Sequence, residues 1–324
     1  MKRLITLLAL LQAGCLTGSS QNASWKNSLI SIPARADLNV RWDARLDAMP
    51  SQVGIYRDLP NKFSREKIAN VMNLCSFTAQ DKKETTDGLS FQAPDGSRKL
   101  VISFQSGEIH YETKLPRFGP TNLAQAVPRM TEVPKLAEDF LRKMGIDMFE
   151  ITNPFVDGIN MEGTPKFHLS EPLQIYFEGK TQITNIEYRT ASFWRLVDRI
   201  PLFGREAGQV SFGEHGRIRG FSITWPKLQC DKWYSTLTPA MMIESIRAGK
   251  AVQGFLSMNS PGINWRTVKL LIVKRASPRY YAQSRSNSSP GSLVPFTALD
   301  AEVDTGHGMI PVEIHCPIID ESAQ

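Results

Sequence analysis

Cysteine is scarce. The 324-residue chain has four, of which Cys15 lies in the N-terminal segment while Cys75, Cys230 and Cys316 are scattered through the rest. That excludes the dense disulfide framework of a small secreted scaffold, and no pair has the CxxC spacing of a zinc or redox site. Beyond Cys15 the count is odd, so at most one disulfide can form within the chain. After the first twenty residues the sequence also lacks any apolar run near the roughly 18 residues needed to cross a bilayer as a helix. It has no GxSxG elbow and no glycine-rich turn with phosphate-cradling spacing, which removes the readily recognised hydrolase and nucleotide-binding classes. Charge of one sign is lacking too: the net +6 reflects 38 basic and 32 acidic residues. Nucleic-acid binders gather Lys and Arg on one face. The densest basic run here, Lys274, Arg275, Arg279 and Arg285, is spread out and is expected to be a solvated strand edge, so no nucleic-acid partner is expected.

What is present begins at the N-terminus. Lys2-Arg3 precedes the apolar run Leu4 to Leu11 and then small and polar residues, the three parts of a secretory signal and too short for a membrane anchor. Residues 1–19 are therefore expected to be a signal peptide and the protein to be exported. Within it, Leu10-Leu11-Gln12-Ala13-Gly14-Cys15 resembles the lipobox of bacterial lipoproteins. Ala13, Gly14 and Cys15 match; Gln12 stands where that family prefers Leu, and Leu11 comes one position early. The resemblance implies a lipid on Cys15, the lipidation candidate, and membrane contact only through it. The rival is ordinary signal-peptidase cleavage, for which Thr17 and Ser19, or Gly18 and Ser20, supply the small residues. Cys15 would then be lost and the protein secreted free. Asn22-Ala23-Ser24 and Asn287-Ser288-Ser289 are glycosylation sequons that matter only in a eukaryotic source.

Residues 20–60 are polar and irregular, with scattered apolar residues such as Trp25 and Trp42, and are expected to be a tether and extended lead-in. A short amphipathic helix followed by strands then occurs three times, over residues 61–120, 121–235 and 236–324, the third unit packed with the second. This is a recurrence of element order without a residue-level repeat. In the first unit Ser64 can cap a helix whose apolar face is Ile68, Val71, Met72 and Cys75. Leu89 to Phe91, Leu100 to Phe104 and Ile109 to Tyr111 then alternate around turn residues and predict a meander.

In the second unit Pro134 opens a helix carrying Leu136, Phe140, Leu141 and Met144, which Gly145 ends. Strands are predicted at Leu173 to Phe177, Ile183 to Val197, Gln209 to Phe212 and Arg217 to Trp225, with a bulge at Gly220 and a hairpin loop over Gly213 to Gly216. The third helix has Thr238 as N-cap, Pro239 at its first position, Met242, Ile243 and Ile246 as its stripe, and Gly249 beyond its end. Val268 to Val273, Leu293 to Ala298 and Met309 to Ile319 are its strands, and Ser284 to Ser292 is an exposed loop. Cys316 alternates with buried positions and Cys75 lies on an apolar helix face, so both are expected in the core; Cys230 is expected on an exposed loop.

Helices packed on one face of antiparallel sheets make an α+β fold class, with short helices and helix-plus-meander units recurring about three times. In this layout, with Ala137 to Gly145 as a helix and Val210 to Ile218 as a hairpin, the chain resembles bacterial extracytoplasmic proteins of the PepSY-like and YycH/YycI-like kind. That resemblance implies a binding or regulatory module of the cell envelope and carries over no catalytic residue.

Motifs with chemical potential fall to simpler readings. Asp304-Thr305-Gly306 resembles the catalytic turn of aspartic proteases, but that chemistry needs two carboxylates sharing a proton, and no second such turn occurs. A turn between strands explains it. Asp304, His307 and His315 could be offered as metal ligands only if His315 faced outward to meet His307, and a metal-binding His needs an orienting partner. His110, His168 and His215 are expected at the surface. Trp194 and Trp225 are expected in the core, while Trp25, Trp42, Trp233 and Trp265 stay open between core and ligand contact. No catalytic, cofactor-binding or metal residue is assigned. The expectation is a non-enzymatic exported envelope protein that binds a protein partner in the envelope or extracellular space, with peptidase inhibition as a subtype. The alternative is an exported hydrolase or carbohydrate-active protein with a dispersed site.

Overall fold

A computed structural model gives the fold and describes residues 30–45, 49–59, 63–114, 123–153, 165–178, 181–203, 207–254, 263–282 and 291–319. Cys15, the signal segment, Trp25, both sequons, Arg285 and the Ser284 to Pro290 stretch lie outside these residues.

Of residues 20–60, expected to be a tether and extended lead-in, the part from residue 30 onward is built into the fold as extended strands. Strands β1 (Ile30–Ser31), β2 (Asn39–Trp42) and β3 (Gln52–Leu59) bring Ile32, Leu38, Val40 and Val53 into a core. Their partners, Val252, Leu270 to Val273 and Lys227 to Ser235, lie far along the chain, so no local pattern announces them. Helix α1 (Arg65–Leu74) starts where Ser64 Oγ accepts the Lys67 N–H at 3.1 Å, and it buries Val71 and, just past its end, Cys75. Strands β4 (Lys82–Thr85), β5 (Gly88–Gln92), β6 (Arg98–Ser103) and β7 (Glu108–Thr113) form the expected meander with one extra charged edge strand.

Helix α2 (Val133–Lys143) carries Pro134 in its first turn, buries Val133, Ala137, Phe140 and Leu141, and ends before Gly145 at φ +70°. Next come β8 (Ile151–Thr152), β9 (His168–Ser170), β10 (Leu173–Glu178), β11 (Thr181–Ile186), β12 (Arg189–Val197), β13 (Ile200–Phe203), β14 (Ala207–Phe212), β15 (Ile218–Thr224) and β16 (Lys227–Ser235). The single strand expected over Ile183 to Val197 is thus two, broken at Glu187-Tyr188. The expected bulge is present: Ser211 pairs with Gly220 while Phe212 pairs with Ile218. Arg219 is the extra residue, and its insertion returns Ile218 to the core face beside Phe221 and Ile223.

In α3 (Pro239–Arg247) Thr238 Oγ1 accepts the Met241 N–H at 3.4 Å, and Met242 and Ile246 are buried. The chain closes through β17 (Val252–Gln253) and the long antiparallel strands β18 (Leu270–Ala282), β19 (Ser292–Asp304) and β20 (Met309–Pro317).

The result is a mixed α+β fold in which eighteen strands form one mostly antiparallel network and β10–β11 stand apart as a two-stranded hairpin. The network has two parts. In one, β4–β5–β6–β7–β15–β14–β12 run in order with β8 and β9 side by side on the far edge of β12. Its core is shared with α1 and α2. In the other, β1–β17–β20–β19–β18 run in order, β2 and β13 pair parallel to β18, and β3 with β16 extends from β19. Its core takes in α3 and the N-terminal strands. The first two helix-and-strand units therefore feed largely one core, and the third closes over residues 30–59. The β12–β13 hairpin passes from one part to the other.

Candidate functional site

The residues singled out by sequence are distributed, not gathered. Asp304 folds its carboxylate back on its own turn, Oδ1 accepting the Gly306 N–H at 2.8 Å, so that turn is occupied by its own backbone. His307 is exposed. His315 does not turn toward it: its Nε2 lies 2.6 Å from Glu313 Oε1, and its ring packs 4.7 Å from that of Phe296. Among the described residues no three His, Cys, Asp or Glu side chains group as a metal site.

Two expectations are corrected. Cys230 sits within β16, half-buried, because β16 is a strand paired to β3 and not a loop. The basic run is not a strand edge, because β18 is flanked by β19 on one side and by β2 and β13 on the other. Lys274 lies 3.4 Å from Glu302, Arg275 2.5 Å from Asp300, and Arg279 is only 4% exposed. The remaining cysteines are buried as expected. Burial pushes the thiols of Cys75 and Cys316 up to about 12, so neither is a thiolate nucleophile. Trp265 belongs to the core, with Nε1 donating to Gln253 Oε1 at 2.9 Å, and Trp233 is exposed.

A polar cluster ties the two parts of the network together. In the β12–β13 hairpin both central residues have positive φ, Asp198 at 51° and Arg199 at 65°, the backbone of a tight two-residue turn. This geometry lets the Asp198 carboxylate accept from the Tyr56 hydroxyl. The Tyr56 ring meets that of Tyr280 edge-on at 5.7 Å, and Tyr280 Oη donates to Gly54 O at 3.0 Å. Burial, first, and then the Asp198 carboxylate push the Tyr56 hydroxyl up, and burial and nearby charge do the same for Tyr280 and Cys230. Those shifts hold all three in their protonated forms near neutrality, with the Asp198 carboxylate engaged by the Tyr56 hydroxyl. A groove of about 540 Å³ along α3 is lined by Val40, Leu237, Met241, Ile243 and Ile319, and the Glu244 and Arg247 on its rim pair with each other at 2.9 Å.

Among the described residues the β10–β11 arm is a two-stranded hairpin paired only with itself. It continues the β9–β12 ladder outward, but the register changes: Ser170 pairs with Thr190, whereas Leu173 pairs with Ile186. Two residues, Glu171 and Pro172, thus lie opposite three, Glu187 to Arg189, and Pro172 has no N–H to offer a ladder. Arg189 Nε holds Glu171 at 2.8 Å across this break, and Arg189 Nη1 also donates to Pro128 O. On the inner side of the arm Asn185 Oδ1 accepts the Ala124 N–H at 3.0 Å. On the outer side Leu173 is 55% and Ile175 51% exposed, on one face because they are two residues apart. The sequence predicts this strand from the alternation of Leu173, Ile175 and Phe177, but alternation alone says that one face is covered, not by what.

No protein-family model matches the chain and no curated protein does. Among solved structures, an uncharacterized protein from Eubacterium rectale is similar over 85% of each chain at 11% identity, with a TM-score of 0.40. The YpeB C-terminal domain of Bacillus megaterium is similar over 81% of this chain and 99% of that one at 10% identity, with a TM-score of 0.31. These are distant likenesses in chain course.

Proposed function

We propose that the protein is a non-enzymatic, exported cell-envelope module that binds a protein partner through the outer face of the β10–β11 arm. The observation that carries this reading is the pair Leu173 and Ile175, half or more exposed on a hairpin outside the main strand network. An isolated two-stranded hairpin is marginal in water, and exposed apolar side chains on one face gain free energy when a partner covers them. Three carboxylates act within the fold: Asp198 on Tyr56, Glu244 on Arg247, Asp304 on its own turn. Export rests on the N-terminal signal pattern, with Cys15 as the lipid attachment point if that pattern is processed as a lipobox. The finer assignment, a PepSY-like or YycH/YycI-like module, rests on element order.

The test pairs Leu173→Asp with Ile175→Asp. Thermal stability is expected to stay within a degree or two of wild type, since surface changes are worth about 0.5 kcal/mol, while recovery of a specific envelope partner is lost. Equal recovery by the double variant rejects the arm as the contact. The alternative reading, an exported hydrolase or carbohydrate-active protein, has its best footing in the His315–Glu313 pair 2.6 Å apart. Hydrolysis of a peptide or glycan that Glu313→Gln abolishes would favour it over partner binding.

A further inference from the structure

At the foot of the arm the buried carboxyl of Glu187 and the half-buried guanidinium of Arg219 lie close together without forming an ion pair. Glu187, in the break between β11 and β12, is 4% exposed, and Asn185 just before it is 2% exposed. Arg219, the bulged residue of β15, reaches toward them. Its stem lies so close over Gly213 that a Cβ there would stand 2.7 Å from Cγ and Cδ, and that same point is 3.5 Å from the Glu187 carbonyl oxygen. Yet among the described residues Arg219 and Glu187 form no ion pair, and Arg219 Nε and Nη2 and Asn185 Nδ2 are buried without a hydrogen-bond partner. Each such group left without a partner costs on the order of 1–3 kcal/mol, and native folds keep few of them.

The setting is also mechanically weak. Between the β9–β12 ladder and the β10–β11 ladder the backbone pairing is interrupted, and the Arg189–Glu171 pair and the Asn185 to Ala124 bond span the break.

We infer that the foot of the arm is a two-position joint, open with Glu187 and Arg219 apart, that moves to a position in which they close as an ion pair when Glu187 is charged. Burial raises the Glu187 carboxyl and lowers the Arg219 guanidinium, and the charge of each offsets part of that effect on the other. The other charged or titratable groups around the joint are Glu214, whose Oε1 accepts the Gln125 N–H at 2.7 Å, Tyr111 on β7, Tyr188 in the break, and the Arg189–Glu171 pair. Below the raised value Glu187 is neutral and has no drive toward Arg219. Above it, closing the pair gives the Glu187 charge a direct partner in place of a more distant one. The joint belongs to the arm on which the proposed function rests, but it exists or not whether a partner binds there.

Spin labels at Thr184→Cys on the arm and Lys135→Cys on α2, both exposed positions, in a Cys15→Ser, Cys230→Ser background, give the distance across the joint. Two distances are expected, with their proportions changing as pH rises and the midpoint above the ordinary carboxylate value near 4.3. Glu187→Gln is expected to hold the low-pH proportion throughout, and Arg219→Met to abolish the change. A single distance at every pH, as fixed water on Arg219 and Asn185 would give, overturns the inference even if neither variant folds. So does a pH change that survives in either variant. Partner recovery that fails while the distances shift would reject the docking role and leave the joint standing.

Discussion

Individual side chains set the tightest tolerances in this protein. Gly208 in β14 faces Phe193 across β12, and a Cβ there would stand 2.1 Å from the Phe193 ring. Because Phe193 is fully buried, Gly208→Ala has no free volume to use; a loss of about 1–3 kcal/mol or more is expected by urea titration. The hairpin turn gives a paired test with opposite signs. Arg199 holds a positive φ that costs a non-glycine residue about 1 kcal/mol, so Arg199→Gly is expected to stabilise by about 0.5–1 kcal/mol. Asp198→Gly relieves similar strain but strips the Tyr56 hydroxyl of its acceptor, and a net loss of about 1 kcal/mol or more is expected. If both glycines stabilise, the Asp198–Tyr56 contact contributes nothing to the joining of the two parts. The buried thiols act on pH dependence. Burial pushes the Cys75 and Cys316 thiols up from the ordinary value near 9 to about 12, so the unfolded chain sheds these protons first. Stability is therefore expected to fall as pH rises from about 9 toward about 12, and Cys75→Ala is expected to reduce that slope in an alkaline denaturation series.

At the scale of elements, the features legible in sequence were those that local chemistry determines. Ser64 and Thr238 cap helices through their own side-chain oxygens, Pro134 and Pro239 occupy first turns, and Gly145 and Gly249 take positive φ just past the ends. The alternation Val312, Ile314, Cys316 and Ile318 marked the buried face of β20 and of the residue just beyond its end. The features that could not be read depend on distant partners. β16 interleaves Lys, Gln, Asp and Ser with its few apolar residues, breaks phase at Asp231, and is a strand because β3, more than 150 residues earlier, pairs with it. β13 has four residues and is placed by β18. Lys274, Arg275 and Arg279 looked like an edge because charge suggests solvent, but the carboxylates that receive the first two, Asp300 and Glu302, are on the neighbouring strand. The arm was legible as strands and illegible as a surface, since its outer apolar row has the same pattern as a buried one.

For the whole molecule, the two cores joined by the β12–β13 hairpin and the β15–β16 connection make separate demands on stability. A cavity from Leu141→Ala in the first core is expected to cost about 2–5 kcal/mol, and Leu299→Ala in the second to cost a similar amount. If the hairpin couples the cores into one cooperative unit, each variant lowers a single calorimetric transition; two separable transitions would show that they unfold independently.

The central claim is that the arm is where a partner sits. A photo-crosslinking residue at Ile175, with a control at Lys83 on the exposed strand β4, tests it in intact envelopes. The expected result is one adduct of defined mass from Ile175, none from Lys83, and loss of that adduct with Leu173→Asp. No adduct from Ile175, or one that Leu173→Asp leaves undiminished, contradicts it.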